Sequence, residues 1–331
     1  MTRTISLSPD QRLFAALFAL SLTLVACEGK SRDTVVSDQT GSVPGITAGG
    51  SDTPTPGIAT SGSQPAVSSN YEDGETAYTQ GRFSDARDIF AAYVTTRPEN
   101  PFGHYMLGLA AWKSGDFARA AEALEQSIAL DSTNPKSHIN LARVYIDLGR
   151  KPEALEEART ALLLDSTSSD ARRVIARVFQ AQGQVDSAIG AYQQALAIDD
   201  QDVWSMNNLG VLYLDEGDPD LAIPPLARAV QLRGTAPVFQ NNLGMALERT
   251  GHVILAKQAY EAALASDSSY SKAKVNLDRV TALVVDSTDS FSIEERAEGF
   301  RIQVGMWKDN LVPRPIEIDS VSGVTQDSVK Q

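Results

Sequence analysis

Six glycines recur at a fixed interval of 34 residues through the middle of this 331-residue chain, without one insertion or deletion. Each is followed five residues later by an alanine, as in the first pair, Gly81 and Ala86. A fixed period of this length is typical of a solenoid in which each repeat stacks on its neighbours. Because glycine readily takes the left-handed conformation that ends a helix, each of these glycines is a candidate helix end. The glycines are Gly81, Gly115, Gly149, Gly183, Gly217 and Gly251.

The period and the glycine-to-alanine spacing resemble the tetratricopeptide repeat (TPR), a helix-turn-helix unit of 34 residues. The resemblance covers residues 67–270, about two-thirds of the chain, and implies an all-α superhelical solenoid of six repeats with two helices in each. A capping helix is predicted at 271–285. The tail at 286–331 is predicted to be mostly irregular, with a strand-like alternation of apolar residues at 300–306. The repeats are 67–100, 101–134, 135–168, 169–202, 203–236 and 237–270.

The N-terminus has the pattern of an export signal. A basic segment precedes an apolar run at 13–26, which at about 14 residues is short for a membrane span and typical of a secretory signal. The quartet Leu24-Val25-Ala26-Cys27 resembles the lipobox of bacterial lipoproteins. This resemblance implies that residues 1–26 are removed and that Cys27 carries a covalent lipid. Because Glu28 rather than Asp follows the cysteine, the resemblance favours the periplasmic face of the outer membrane.

Residues 27–66 connect this anchor to the repeats. Gly, Ser, Thr, Pro and Asp dominate the segment and apolar residues occur singly, so we predict a disordered linker that cannot bury enough surface to fold.

The sequence offers no catalytic or metal-binding pattern. It has neither a phosphate-binding glycine loop nor a zinc-protease or nucleophile-elbow motif, and its three histidines are His104, His138 and His252. We therefore expect no enzyme activity, no metal and no cofactor apart from the lipid on Cys27. The net charge of −13 disfavours nucleic acid and anionic head groups as partners.

The resemblance implies that first helices line a concave groove, and the repeat phase identifies the residues facing it. Aromatic and apolar side chains there would anchor a peptide or helix. Asparagines at one repeated position would bind an extended backbone, as a similar ladder does in the O-GlcNAc transferase family. The alternative is that these side chains pack between helices. The candidates are Tyr105, Trp112, Trp204, Val211 and Met245, with the asparagines Asn140, Asn208, Asn242 and Asn276.

The sequence thus predicts a lipid-anchored scaffold that binds peptide segments of other envelope proteins. Its lipobox and six repeats are also similar to the pilotin lipoproteins of type IV pili. Two alternatives stay open: a ligand-binding or enzymatic role for the tail at 291–319, and an unlipidated periplasmic adaptor. The sequence does not indicate an oligomeric state.

Overall fold

The computed structural model describes residues 70–283 and 291–310, and within them the chain forms fourteen α-helices. The predicted signal at 1–26 and linker at 27–66 lie outside the described residues. The helices are α1 Tyr71–Thr79, α2 Phe83–Thr96, α3 Pro101–Lys113, α4 Phe117–Leu130, α5 Pro135–Asp147, α6 Lys151–Leu164, α7 Ser169–Ala181, α8 Val185–Ile198, α9 Val203–Glu216, α10 Pro219–Leu232, α11 Pro237–Arg249, α12 Val253–Ser266, α13 Ser271–Thr281 and α14 Ile293–Asn310.

Helices α1 to α12 form six helix-turn-helix pairs in the predicted phase, and α13 follows them as a further first helix. The predicted all-α solenoid is therefore confirmed. The six periodic glycines lie at the turn inside each pair, with φ between 74° and 89°, a backbone conformation that side chains with a Cβ rarely adopt. The residue after each glycine donates its backbone N–H to a carbonyl five residues earlier, as Arg82 does to Ala77 at 2.9 Å, which closes the helix end.

A second set of small residues sets how closely the two helices of a repeat approach. Gly210 of α9 lies against Leu226 of α10, and a Cβ built on this glycine would be 2.4 Å from Leu226 Cγ. The same relation joins Gly108 to Leu124 and Gly244 to Tyr260. Each of these repeats therefore buries a large side chain of its second helix against the bare backbone of its first.

Helix α10 continues through Pro224 and Pro225. Neither proline has an N–H to donate to the preceding turn, so two helical hydrogen bonds are missing there. The helix is held instead by its buried neighbours Ile223, Leu226 and Ala227.

The C-terminal segment forms a helix, α14, where the sequence pattern predicts a strand at 300–306; that prediction is wrong. Ala297, Phe300 and Val304 are buried, and their spacing of three and four residues makes one helical stripe. Ile302 and Met306, which create the apparent alternation, are exposed. Helix α14 packs on α10 and α8, which are second helices of their repeats.

Within 70–283 and 291–310, each helix is too short or too polar to cross a bilayer.

Candidate functional site

The surface formed by α3, α5, α7, α9, α11 and α13, with α1 at its N-terminal end, is called here the first-helix face. Successive first helices contact one another along it, as α5 does α7 and α11 does α13. Helix α14 packs on second helices. The candidate residues predicted from the repeat phase belong to the first helices, and they fall into three zones along the chain.

The N-terminal zone is aromatic. The ring of Phe102 stacks between Tyr71, at 5.8 Å between ring centroids, and Tyr105, at 5.7 Å, yet 51% of the Phe102 surface is exposed. The predicted residue Tyr105 is half-buried, and its hydroxyl accepts a hydrogen bond from Asn140. Trp112 is also half-buried, and its Nε1 donates to Asp147 at 2.6 Å. Tyr71 and Phe102 were missed by sequence reasoning, although Phe102 occupies the repeat position that pointed to Trp204.

The middle zone carries three arginines, Arg143 on α5 and Arg173 and Arg177 on α7, none of which the sequence analysis singled out. Arg173 Nη1 donates to both carboxylate oxygens of Asp202 at 2.6 Å, and Arg173 also pairs with Asp170. Asp170 lies 3.5 Å from Arg143 Nη2. These contacts join α5, α7 and the N-terminus of α9 through one polar network.

Burial perturbs the pKa of these guanidinium groups. It lowers the pKa of Arg143 to about 10, and the positive charge of Arg173 acts in the same direction. Burial also lowers the pKa of Arg177. For Arg173, burial acts downward, but the carboxylates of Asp202 and Asp170 outweigh it and the pKa is raised. All three side chains stay cationic at neutral pH.

The C-terminal zone contains the asparagine ladder, and the structure shows how its amides are used. Asn242 Nδ2 donates to Asn207 Oδ1 at 2.8 Å, and Asn276 Nδ2 donates to Asn241 Oδ1 at 2.9 Å. Asn140 makes the equivalent bond to Tyr105 at 3.0 Å. Each bond reaches back 35 residues to the preceding repeat, so the ladder ties successive first helices together.

Asn208 is the exception in this series. The residue 35 positions before it is Arg173, which has no acceptor, and the buried Asn208 Nδ2 makes no well-formed hydrogen bond to any residue that the structure describes. The predicted role of Asn140, Asn208, Asn242 and Asn276 in holding a ligand backbone stays a prediction. Asn140, Asn242 and Asn276 already use one amide N–H each in a bond within the array, so a ligand backbone would have to use the remaining hydrogen-bonding capacity of these side chains.

The remaining predicted residues differ in how deeply they are buried. Val211 is buried in the core rather than presented to a ligand. Trp204 is half-buried and meets Phe239 edge to face, with ring centroids 5.0 Å apart. Met245 is half-buried, and its sulfur is 3.5 Å from Asn241 Nδ2. Part of the predicted groove set therefore packs between helices, as the alternative reading proposed, and Tyr105, Trp112, Trp204 and Met245 keep some exposed surface.

Three family models match the chain, and all describe this repeat. A tetratricopeptide repeat model matches residues 111–178, a TPR repeat model matches 176–217, and a further tetratricopeptide repeat model matches 239–270. A comparison with curated proteins gave no match.

Solved structures with this fold are numerous. A thermophilic TPR protein from Thermus thermophilus is 19% identical, with a TM-score of 0.51 over 56% of this chain and 100% of its own. A chain of the Cut9-Hcn1 hetero-tetramer of the APC/C is 18% identical, with a TM-score of 0.54 over 63% of this chain and 41% of its own. At these identities the likeness shows the fold alone. With its 34-residue period, its paired helices and these three matching models, the chain belongs to the tetratricopeptide repeat family.

Proposed function

We propose that this protein is an exported lipoprotein, anchored through Cys27, that binds peptide segments of other envelope proteins on its first-helix face. TPR arrays act as interaction scaffolds rather than as enzymes, since they present extended surfaces for partners. Beyond scaffolding, the proposal adds that the partners are envelope proteins, that a lipid on Cys27 anchors the protein, and that the protein lies at the periplasmic face of the outer membrane.

The observation that carries the proposal is the aromatic stack of Tyr71, Phe102 and Tyr105. A phenylalanine that is 51% exposed and held rigid between two tyrosines costs little further ordering when a partner covers it. Rigid aromatic side chains of this kind are frequent hot spots in protein interfaces. Further along the face, the exposed parts of Trp112, Trp204 and Met245 supply additional apolar contact.

The anchoring part of the proposal rests on the sequence. The lipobox-like quartet ends in the only cysteine of the chain, and the acidic net charge of −13 would not hold the protein at an anionic membrane. Two or more acyl chains on Cys27 would make a stable anchor by burying hydrocarbon. The linker at 27–66 would then let the array reach partners away from the bilayer.

Photo-crosslinking in native cells tests the binding face. A benzoylphenylalanine at position 102 replaces one aromatic ring by another, and the same probe at Glu122, exposed on the second helix α4 of the same repeat, is the matched control. We expect an envelope protein to be crosslinked from position 102 and not from position 122. Equal products from both positions, or none from position 102, would contradict the proposal.

A further inference from the structure

The middle of the first-helix face gathers three cations in a strongly acidic chain. The side chains of Arg143, Arg173 and Arg177 are 14%, 9% and 11% exposed, so each cation has lost most of its hydration. Placing charges so far from water is costly unless hydrogen bonds and opposite charges replace the water.

Each carboxylate around the cluster already serves more than one partner. Asp202 pairs with Arg173, and it also accepts hydrogen bonds from the backbone N–H groups of Trp204 and Ser205 at the start of α9. Asp147 accepts the Trp112 hydrogen bond at 2.6 Å and lies 4.0 Å from Arg177 Nη2, the outer limit of an ion pair. Asp170 is shared between Arg143 and Arg173.

One nitrogen of each guanidinium group is consequently left without a hydrogen-bond acceptor in the part of the chain that the structure describes. Arg143 Nε, Arg173 Nε and Arg177 Nη1 are buried nitrogens without a partner among the described residues. Such groups are uncommon in native structures, because a buried donor without an acceptor keeps the full cost of its lost hydration. The lowered pKa values of Arg143 and Arg177 agree with cations whose environment stabilises their charge poorly.

We propose that Arg143, Arg173 and Arg177 form a site for the carboxylate of an Asp or Glu side chain in a bound peptide. This inference rests on the proposed peptide-binding function and adds the chemistry of the ligand. A carboxylate supplies two acceptor oxygens, and the planar guanidinium fork matches their spacing. Arg177, whose ion pair to Asp147 is long, and Arg143 would turn towards the ligand, while Arg173 stays fixed by Asp202.

A carboxylate fits this site better than a phosphate group does. Asp147, Asp170 and Asp202 balance the formal charges of the three arginines, so what the site lacks is acceptor atoms rather than net negative charge. Because these charges balance, a phosphate near −2 would leave a larger uncompensated negative charge in this poorly hydrated site than a carboxylate of −1, and burying such a charge is costly.

The site sits between an aromatic zone and an asparagine zone. Trp112 is joined to the cluster through Asp147, and Tyr105 through Asn140, whose Oδ1 accepts from Arg143 Nη1 at 3.0 Å. A matching peptide would therefore combine an acidic residue with a bulky apolar residue, the latter placed on the exposed rings of Phe102 and its neighbours.

Selection from a phage-displayed library of random peptides tests the inference without a known partner. The immobilised targets are the wild-type protein, the double variant Arg143→Gln/Arg177→Gln and the control Arg279→Gln. Arg279 occupies the same repeat position as Arg143 and Arg177 but pairs with Glu248 at 2.7 Å outside the cluster. We expect Asp and Glu to be enriched among peptides selected by the wild type and by the control, and this enrichment to be lost with the double variant.

A selected peptide then gives the affinity. Changing its acidic residue to Gln should weaken binding to the wild-type protein about tenfold or more, since hydrogen bonds to charged groups contribute about 1.5–3 kcal/mol. This arm needs no protein variant, so it decides the question even if the double variant loses helical circular dichroism.

The outcomes separate the inference from the function on which it rests. Peptides selected without acidic enrichment would leave peptide binding intact and overturn the carboxylate site. A phosphoserine counterpart that binds more tightly than the Glu peptide would overturn it in favour of a phosphate site. Failure of the wild-type protein to select any peptide would overturn the proposed function together with the site.

Discussion

Replacing Gly210 by alanine tests whether close helix approach inside each repeat, rather than helix propensity, fixes the residue at this position. Gly210 lies inside α9, where alanine is intrinsically better than glycine by about 1 kcal/mol. The new Cβ, however, would be 2.4 Å from Leu226 Cγ and 2.8 Å from Leu226 Cδ2, closer than nonbonded carbons can stand. The two effects therefore oppose each other.

The relative sizes of these two effects decide whether Gly210→Ala stabilises or destabilises the protein. Overpacking a filled core costs about 1–3 kcal/mol, because neighbouring side chains must leave their rotamers. After the gain in propensity is subtracted, we expect Gly210→Ala to destabilise the protein by about 1 kcal/mol. Gly190 is the control, because it too lies inside a helix, α8, and a Cβ built there has open space around it. Gly190→Ala should stabilise the protein by about 1 kcal/mol.

A second substitution isolates the contact. Leu226→Ala alone should cost about 2–5 kcal/mol, since it removes a buried side chain. In that background the clash is gone, so adding Gly210→Ala should stabilise by about 1 kcal/mol. The resulting alanine pair reproduces Ala142 and Ala158, which occupy the corresponding positions of repeat three. Gly210→Ala is thus expected to destabilise the wild type and to stabilise the Leu226→Ala variant. The difference between the two effects is a coupling free energy of about 2 kcal/mol.

Urea unfolding, followed by circular dichroism and by tryptophan fluorescence, measures these differences. Repeat arrays often unfold in more than one step, so the two signals must coincide before a free energy is assigned. If Gly210→Ala stabilises the wild type as much as Gly190→Ala does, the steric argument is refuted and the position tolerates a methyl group.

Three further predictions concern a buried pair, the tail and the anchor. Burial acts to lower the pKa of His138, but its hydrogen bonds to Glu157 and to the Ser132 carbonyl outweigh burial, so the pKa is raised. The stability that these bonds add should be fully present below the ordinary pKa of 6.5 and should be lost as pH rises through the raised pKa. The unfolding midpoints of the wild type and Glu157→Gln should therefore differ at low pH and converge at high pH. Ala227→Glu should release α14, seen as faster amide hydrogen exchange in 293–310, because Ala227 is 1% exposed on α10, a helix on which α14 packs; unchanged exchange would mean that the charge finds room. Cys27→Ser should move the protein from the membrane fraction to the soluble periplasmic fraction, and an unchanged distribution would favour the unlipidated adaptor.

The periodic part of the fold is predictable because the same physical constraint recurs in every repeat. A left-handed turn needs glycine, and a close helix crossing needs a small residue, so both appear at a fixed interval along the chain. One sequence is enough to see six instances of such a constraint. The helix bounds of α1 to α12 follow closely from that interval.

The sequence did not predict which groove residues already make hydrogen bonds within the array. Repeat phase identifies which side of a helix a residue occupies, but not whether its polar atoms are already paired. Asn242 and Asn276 occupy the predicted side, and each amide bonds to the previous repeat instead of facing outward unpaired. The arginine cluster was missed for the converse reason, since Arg143 and Arg177 share a position with apolar residues such as Val211 and Met245 in later repeats.

The site on which α14 packs is marked by an unusual residue type at one repeat position, although this difference can be interpreted only once the structure is known. Ala227 is buried on α10, one of the two helices on which α14 packs, and four of the five other repeats carry a charged or polar residue at its position. These residues are Glu125, Arg159, Gln193 and Glu261, while repeat one has Ala91. Glu125, Arg159 and Glu261 lie on second helices other than α8 and α10, where a charged residue suits exposure to water, whereas an alanine suits the covered helix α10.

Helix α14 lies across α10 and α8 and so adds a second connection between two adjacent repeats. In a solenoid each repeat otherwise gains its stability from the interfaces with its immediate neighbours. One of the two helices is α10, which lacks backbone hydrogen bonds at Pro224 and Pro225. Helix α14 therefore braces the array at a second helix whose own backbone hydrogen bonding is incomplete.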